Sequence, residues 1–234
     1  MTSAVLLSVL AIACGGSGAA RDTTSSTKPA GHAESPAPVS DSAPAASLDD
    51  RHTILFLGTS LTAGLGLDPD SAYPQLIQRK IDASRLPYQV VNAGVSGETS
   101  AGLLRRLDWV LRRPADVIVV ETGANDGLRG LPVSATRATI AGVLSRIRRE
   151  RPNAAIALIQ MEAPPNLGQE YTSAFHAMFA ELAREHGATL LPFLLTGVAG
   201  EPRLNQGDGV HPNNAGERIV ADNVWRALLP LLPR

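Results

Sequence analysis

The sequence predicts a doubly wound, three-layer α/β/α domain on a five-stranded parallel sheet, and three observations carry that expectation. Short, nearly continuous apolar runs recur from Thr53 onward, as strands buried on both faces require. Longer amphipathic stretches of helical period alternate with them. Two of those stretches close on Arg112-Arg113-Pro114 and Arg151-Pro152, where cations suit the helix dipole and proline stops the helix. The expected strands are 53-TILFLG-58, 88-YQVVNA-93, 116-DVIVVET-122, 154-AAIALIQM-161 and 189-TLLPF-193. Helices are expected over 72–85, 99–113, 133–150, 170–186 and 214–229. Strict β-α-β-α alternation places helices on both faces of the sheet, which is the flavodoxin-like arrangement.

This domain spans 51–234, and two different segments precede it. The run 4-AVLLSVLAIA-13 is too short to span a bilayer and suits the apolar region of a signal peptide. It ends at Cys14, and 10-LAIAC-14 resembles the lipobox of bacterial lipoproteins, in which this thiol is acylated. Segment 1–14 is therefore expected to direct export, either with membrane anchoring through Cys14 as a cell-envelope lipoprotein or, since Ala11-Ile12-Ala13 also reads as an A-x-A cleavage site, as a periplasmic or secreted chain. Residues 15–50 are mostly Gly, Ala, Ser, Thr, Pro and Asp, with too few large apolar side chains to offset chain entropy, so a disordered linker is expected. A single cysteine permits no internal disulfide.

The formal charge of −1 over 234 residues gives no sign of a nucleic-acid partner. The arginine groups, Arg105, Arg106, Arg112 and Arg113, then Arg146, Arg148, Arg149 and Arg151, are read as solvated helix faces.

Open α/β sheets bind ligands beyond the carboxyl ends of their strands. The segments there are 58-GTSLTAG-64, 92-NAGVSGET-99, 121-ETGANDGL-128, 160-QMEAPPNLG-168 and, before the last helix, 207-GDGVHPN-213. Acyl transfer by a serine needs a base, a carboxylate that sets the base's tautomer, and N–H donors facing the oxyanion. Ser60, His211 and Asp208 are candidates for the first three parts; Gly97 offers an unobstructed backbone N–H and Asn125 a side-chain amide. Each has a plainer reading by itself: Ser60 as a turn residue, Asn125-Asp126-Gly127 as a turn, 208-DGVHPN-213 as a turn before a helix cap. Their shared position on one edge of an independently inferred sheet favours the chemical reading.

The blocks 57-LGTSLTAG-64, 92-NAGVSGETS-100, 123-GANDGLRG-130 and 208-DGVHPN-213 resemble, in order, those of the SGNH (GDSL-type) hydrolase superfamily. The resemblance is to its branch of bacterial thioesterase I, lysophospholipase L1 and arylesterase enzymes, and runs from about Thr53 to the C-terminus. It implies Ser60 as nucleophile, His211 as base, Asp208 as orienting acid, and an oxyanion hole of the Ser60 and Gly97 N–H groups with the Asn125 amide. It implies no metal and no organic cofactor. One position departs from the pattern: Thr59 stands where the family has Asp, a residue better seen as bracing the nucleophile loop than as part of the triad.

The implied activity is hydrolysis of short- to medium-chain acyl esters, thioesters or lysolipids, with a small-molecule ester or lysolipid as partner. Leu128, Leu131, Pro164, Pro165 and Leu167 are expected to wall an apolar acyl groove. Two other readings fit less well: a carbohydrate deacetylase, which would want more aromatic residues than the 4% here, and a non-catalytic envelope binding protein.

Overall fold

The computed structural model describes residues 51–232. The expected signal segment, Cys14 and the linker lie outside the described residues. Strand β1 (His52–Gly58) leads into a one-turn helix α1 (Ser60–Ala63), and α2 (Tyr73–Ala83) returns the chain to β2 (Tyr88–Gly94). Then follow α3 (Ser100–Val110), β3 (Val117–Val120), α4 (Ala124–Leu128), α5 (Val133–Glu150), β4 (Ala155–Ile159), α6 (Gln169–His186), β5 (Thr189–Leu191) and α7 (Asn214–Leu228). The sheet order is β2-β1-β3-β4-β5 and every pair is parallel, the flavodoxin-like order.

All five expected strands and all five expected helices are present, with shifted ends that have local causes. Strand β5 stops at Leu191 because Pro192 has no N–H to continue the ladder. Helix α2 stops at Ala83, since Arg85 takes a left-handed φ of 53°. Two short helices, α1 and α4, were not expected. Asn125-Asp126-Gly127, read as a turn, is the middle of α4, which Gly123 starts from a left-handed φ of 97°.

Ile54 to Leu57 in β1 and Val117 to Val120 in β3 are buried on both faces, which explains their unbroken apolarity. Helices α3, α5 and α6 pack together on one face; α2 and α7 pack on the other, where Tyr73 meets Phe56 edge to face at 5.7 Å. Phe175 and Phe179 of α6 pair at 5.5 Å in the opposite layer.

The arginines divide into two groups, which corrects their reading as uniformly solvated. Arg106 forks onto the Glu98 carboxylate and the Ala93 carbonyl, Arg148 reaches the carbonyls of Ala154 and Gly187, and Arg151 those of Leu111 and Arg113. These half-buried side chains tie loops to helix ends. Arg105 on α3 and Arg112 and Arg113 in the turn after it are exposed.

Candidate active site

Ser60 opens α1 directly after β1, so the strand delivers it to the carboxyl edge of the sheet. Close packing sets this turn. A Cβ on Gly58 would collide with the Thr62 side chain and come within 2.8 Å of Glu121 Oε2, so only glycine fits. Thr59 donates its N–H to Glu121 Oε2 at 2.7 Å and its hydroxyl to the same carboxylate at 3.0 Å. Thr62 adds a third donor at 2.9 Å and shares its hydroxyl with the Tyr73 hydroxyl at 2.8 Å. Glu121 is fully buried and forms no ion pair among the described residues. Burial raises its pKa, and the Thr59 N–H and the threonine hydroxyls partly offset that by favouring the carboxylate.

His211 arrives from the other end of the chain. The Asn205–Pro212 bridge, the Gln206 N–H on the His211 carbonyl at 2.7 Å and the left-handed Gly209 fold 205–213 into a tight loop. Gln206 then donates to the Leu65 carbonyl at 2.7 Å, fastening this loop beside the Ser60 turn. Asp208 Oδ1 accepts the backbone N–H groups of Val210 and His211 at 2.9 and 3.0 Å, while Oδ2 lies 2.6 Å from His211 Nδ1. Those two N–H groups and the imidazole hold the Asp208 carboxyl well below the usual carboxylate range. An ionised Asp208 places the imidazole proton on Nδ1, so the Nε2 lone pair faces Ser60 Oγ at 2.8 Å. The imidazole is 18% exposed and the Asp208 side chain 48%.

The two remaining predicted donors lie on segments that touch each other. Gly97 adopts φ 75° with open space where a Cβ would project, and its N–H has no acceptor among the described residues. Asn125 spends one amide N–H on the Glu98 carbonyl at 3.0 Å and keeps a second to offer. Helix α4 holds the Gly97 loop by two further contacts. Arg129 donates to the Gly97 carbonyl at 3.0 Å, and buried Asp126 accepts the Ser100 N–H and hydroxyl at 2.8 and 2.6 Å at the start of α3. A carboxylate there also suits the positive end of the α3 dipole.

Leu128 and Leu131 stand exposed beside the site, and Leu167 lies against Gly130. Pro164 is half-buried and Pro165 exposed on the neighbouring loop.

Sequence reasoning missed Glu121, Asp126 and Arg129. Glu121 left a signal, a lone carboxylate ending the apolar run 117-VIVVE-121, but nothing in the sequence pointed to its partners.

Fold and site together define an α/β hydrolytic scaffold with a hydroxyl–imidazole–carboxylate chain at the topological edge where such sheets bind ligands. The model of the GDSL-like lipase/acylhydrolase family matches residues 56–219. Esterase TesA of Pseudomonas aeruginosa is 38% identical over 182 residues, covering 77% of this chain and 89% of its own. Thioesterase 1/protease 1/lysophospholipase L1 of Escherichia coli strain K12 is 37% identical over 181 residues, 77% and 85% of the two chains. The crystal structure of the psychrotrophic esterase EstA from Pseudoalteromonas sp., inhibited by monoethylphosphonate, superposes with a TM-score of 0.74 at 35% identity over 77% of this chain and 98% of that one. The chain therefore belongs to the GDSL-like lipase/acylhydrolase family, and by that membership it is a carboxylic ester hydrolase.

Proposed function

We propose that this enzyme hydrolyses short- to medium-chain acyl esters, thioesters or lysolipids through an acyl-enzyme on Ser60. The observation that carries the reading is the unbroken relay from Asp208 through His211 to Ser60, with contacts of 2.6 and 2.8 Å joining residues 151 positions apart. As Ser60 Oγ attacks the acyl carbonyl, His211 Nε2 takes its proton and Asp208 steadies the imidazolium. The oxyanion is met by the N–H groups of Ser60 and Gly97 and by Asn125 Nδ2. His211 then returns the proton to the departing alkoxide or thiolate. Water enters, gives its proton to His211 and attacks the acyl-enzyme; the acid departs and Ser60 recovers its hydroxyl.

An acyl rather than a sugar substrate is favoured by the side chains around the mouth. Leu65, Leu128, Leu131 and Val210 are all exposed on the loops that carry the site. With Pro164, Pro165 and Leu167 they form an apolar approach for an alkyl chain. The N-terminal segment adds export and lipidation of Cys14, which would tether the domain to a membrane. Mass spectrometry of the mature chain should find a lipidated cysteine at its N-terminus.

Ser60→Ala should fold normally by circular dichroism and lose turnover of p-nitrophenyl butyrate. Turnover at the native rate would remove Ser60 from its role. Reaction of the native chain with a phosphonate ester should add one phosphonyl group, and peptide mapping should place it on Ser60.

A further inference from the structure

Edge strand β2 leaves part of one face uncovered. Phe56 of β1 points towards α2, so Leu55 and Leu57, one residue away on either side, face the α3 layer. Their cross-strand partners Val91 and Ala93 point the same way, as does Val95 by alternation. Between these residues and α3 lies a trough of about 690 Å³. Its floor is mostly apolar, with Asn92 among it, and its wall is made by Arg106, Trp109 and Val110 of α3 and by Arg112 and Arg113 in the turn that follows.

That wall is unusual for a solvated helix. Arg105 and Trp109, four residues apart, share one face of α3, Trp109 is 67% exposed, and Arg112 and Arg113 follow in the turn after Val110. Arg106 is neutralised by Glu98 and Asp108 is engaged by Arg146. Arg105, Arg112 and Arg113 form no ion pair among the described residues, so the rim carries uncompensated positive charge above an apolar floor. Helix α3 runs back against the direction of β2, which sets Arg112 and Arg113 at the end of the trough remote from Val95. At the parallel-strand rise, Val91 to Val95 spans about 13 Å, the scale of a medium-length alkyl chain.

We propose that this trough binds a free fatty-acid carboxylate. The alkyl chain lies along Val91, Ala93 and Val95 beneath the Trp109 indole, and the carboxylate is held by Arg112 and Arg113. Guanidinium groups match a carboxylate with paired N–H donors, and each methylene laid on the floor leaves water. Ser60 does not line the trough, whose Val95 end adjoins the Ser60 turn, and binding there does not depend on ester hydrolysis, although a fatty acid is what such hydrolysis releases.

The chain has two tryptophans, so Trp225→Phe makes Trp109 the only indole reporter. Titration of this full-length variant with dodecanoate below its micelle concentration should give a saturable blue shift. Affinity should fall about fourfold for each methylene removed. Uncharged dodecanol should bind at least about tenfold more weakly. Arg112→Ala with Arg113→Ala, both surface positions, should erase that preference for the carboxylate. Three results would overturn the proposal: no saturable shift, equal affinity for dodecanol, or a carboxylate preference that survives the double substitution. A shift produced only by phosphatidylglycerol vesicles would also overturn it and make this face a membrane contact instead. Ser60→Ala should leave the titration unchanged, so failure here and failure of the esterase reading are told apart.

Discussion

Thr59 occupies the position where the family motif has aspartate, and its surroundings show what that position does. The Glu121 carboxylate receives the Thr59 N–H, the Thr59 hydroxyl and the Thr62 hydroxyl, so the brace beneath Ser60 is one buried acid held by neutral donors. Thr59→Asp would set a second carboxyl against it, and two such groups share a proton. A shared proton means that the folded chain binds more protons than the unfolded one. Stability of this variant should therefore fall as pH rises through the pair's apparent pKa, more steeply than for the native chain in urea titrations at several pH values. A slope equal to the native one would show that the pair does not form. Asn125→Ala removes one of the proposed oxyanion donors. It should lower kcat on p-nitrophenyl butyrate on the order of 100-fold with little change in KM.

Among the elements, α4 has the largest effect for its size. Its five residues supply Asn125 and Asp126, and together with Arg129 at its C-cap it grips the loop that presents Gly97. Asp126→Ala would strand the buried Ser100 N–H and hydroxyl, at a cost of about 1–3 kcal/mol for each group left unpaired. The expected outcome is a lower melting temperature together with a fall in kcat, because Gly97 loses its register with Asn125. Normal kcat in a destabilised variant would confine Asp126 to a structural role. The five long helices and the five strands were legible in the sequence because period and apolarity state them directly. Helix α4 was not. Its sequence, ANDGL, favours a turn by local propensity, and only the burial of Asp126 at the α3 N-terminus and of Gly127 against Phe175 makes it helical.

At the scale of the whole molecule, the layer of α2 and α7 contains a further buried acid. Glu217, 1% exposed in the first turn of α7, accepts the Tyr73 N–H at 2.7 Å. Burial pushes its pKa up to about 8 from a usual 4.5. With the folded-state value raised, the folded chain holds a proton that the unfolded chain releases, so stability falls between about pH 4.5 and 8 and levels off above. Glu217→Gln keeps an acceptor for Tyr73 and removes the charge. It should raise stability at alkaline pH by an amount on the order of 5 kcal/mol, seen as a higher melting temperature, and leave it nearly unchanged near pH 4.5. An equal effect at both pH values would mean that packing, not ionisation, is responsible. The sequence by itself determined the alternation of elements, the layer order that follows from it, and the residues of the Ser60, His211 and Asp208 relay, because periodicity and short motifs are local properties of the chain. Only the tertiary structure decided which carbonyls the arginines staple, that Glu121 braces the Ser60 turn, and that β2 leaves a trough beside α3. Each of these depends on groups far apart in sequence meeting in a desolvated space, which no local pattern encodes.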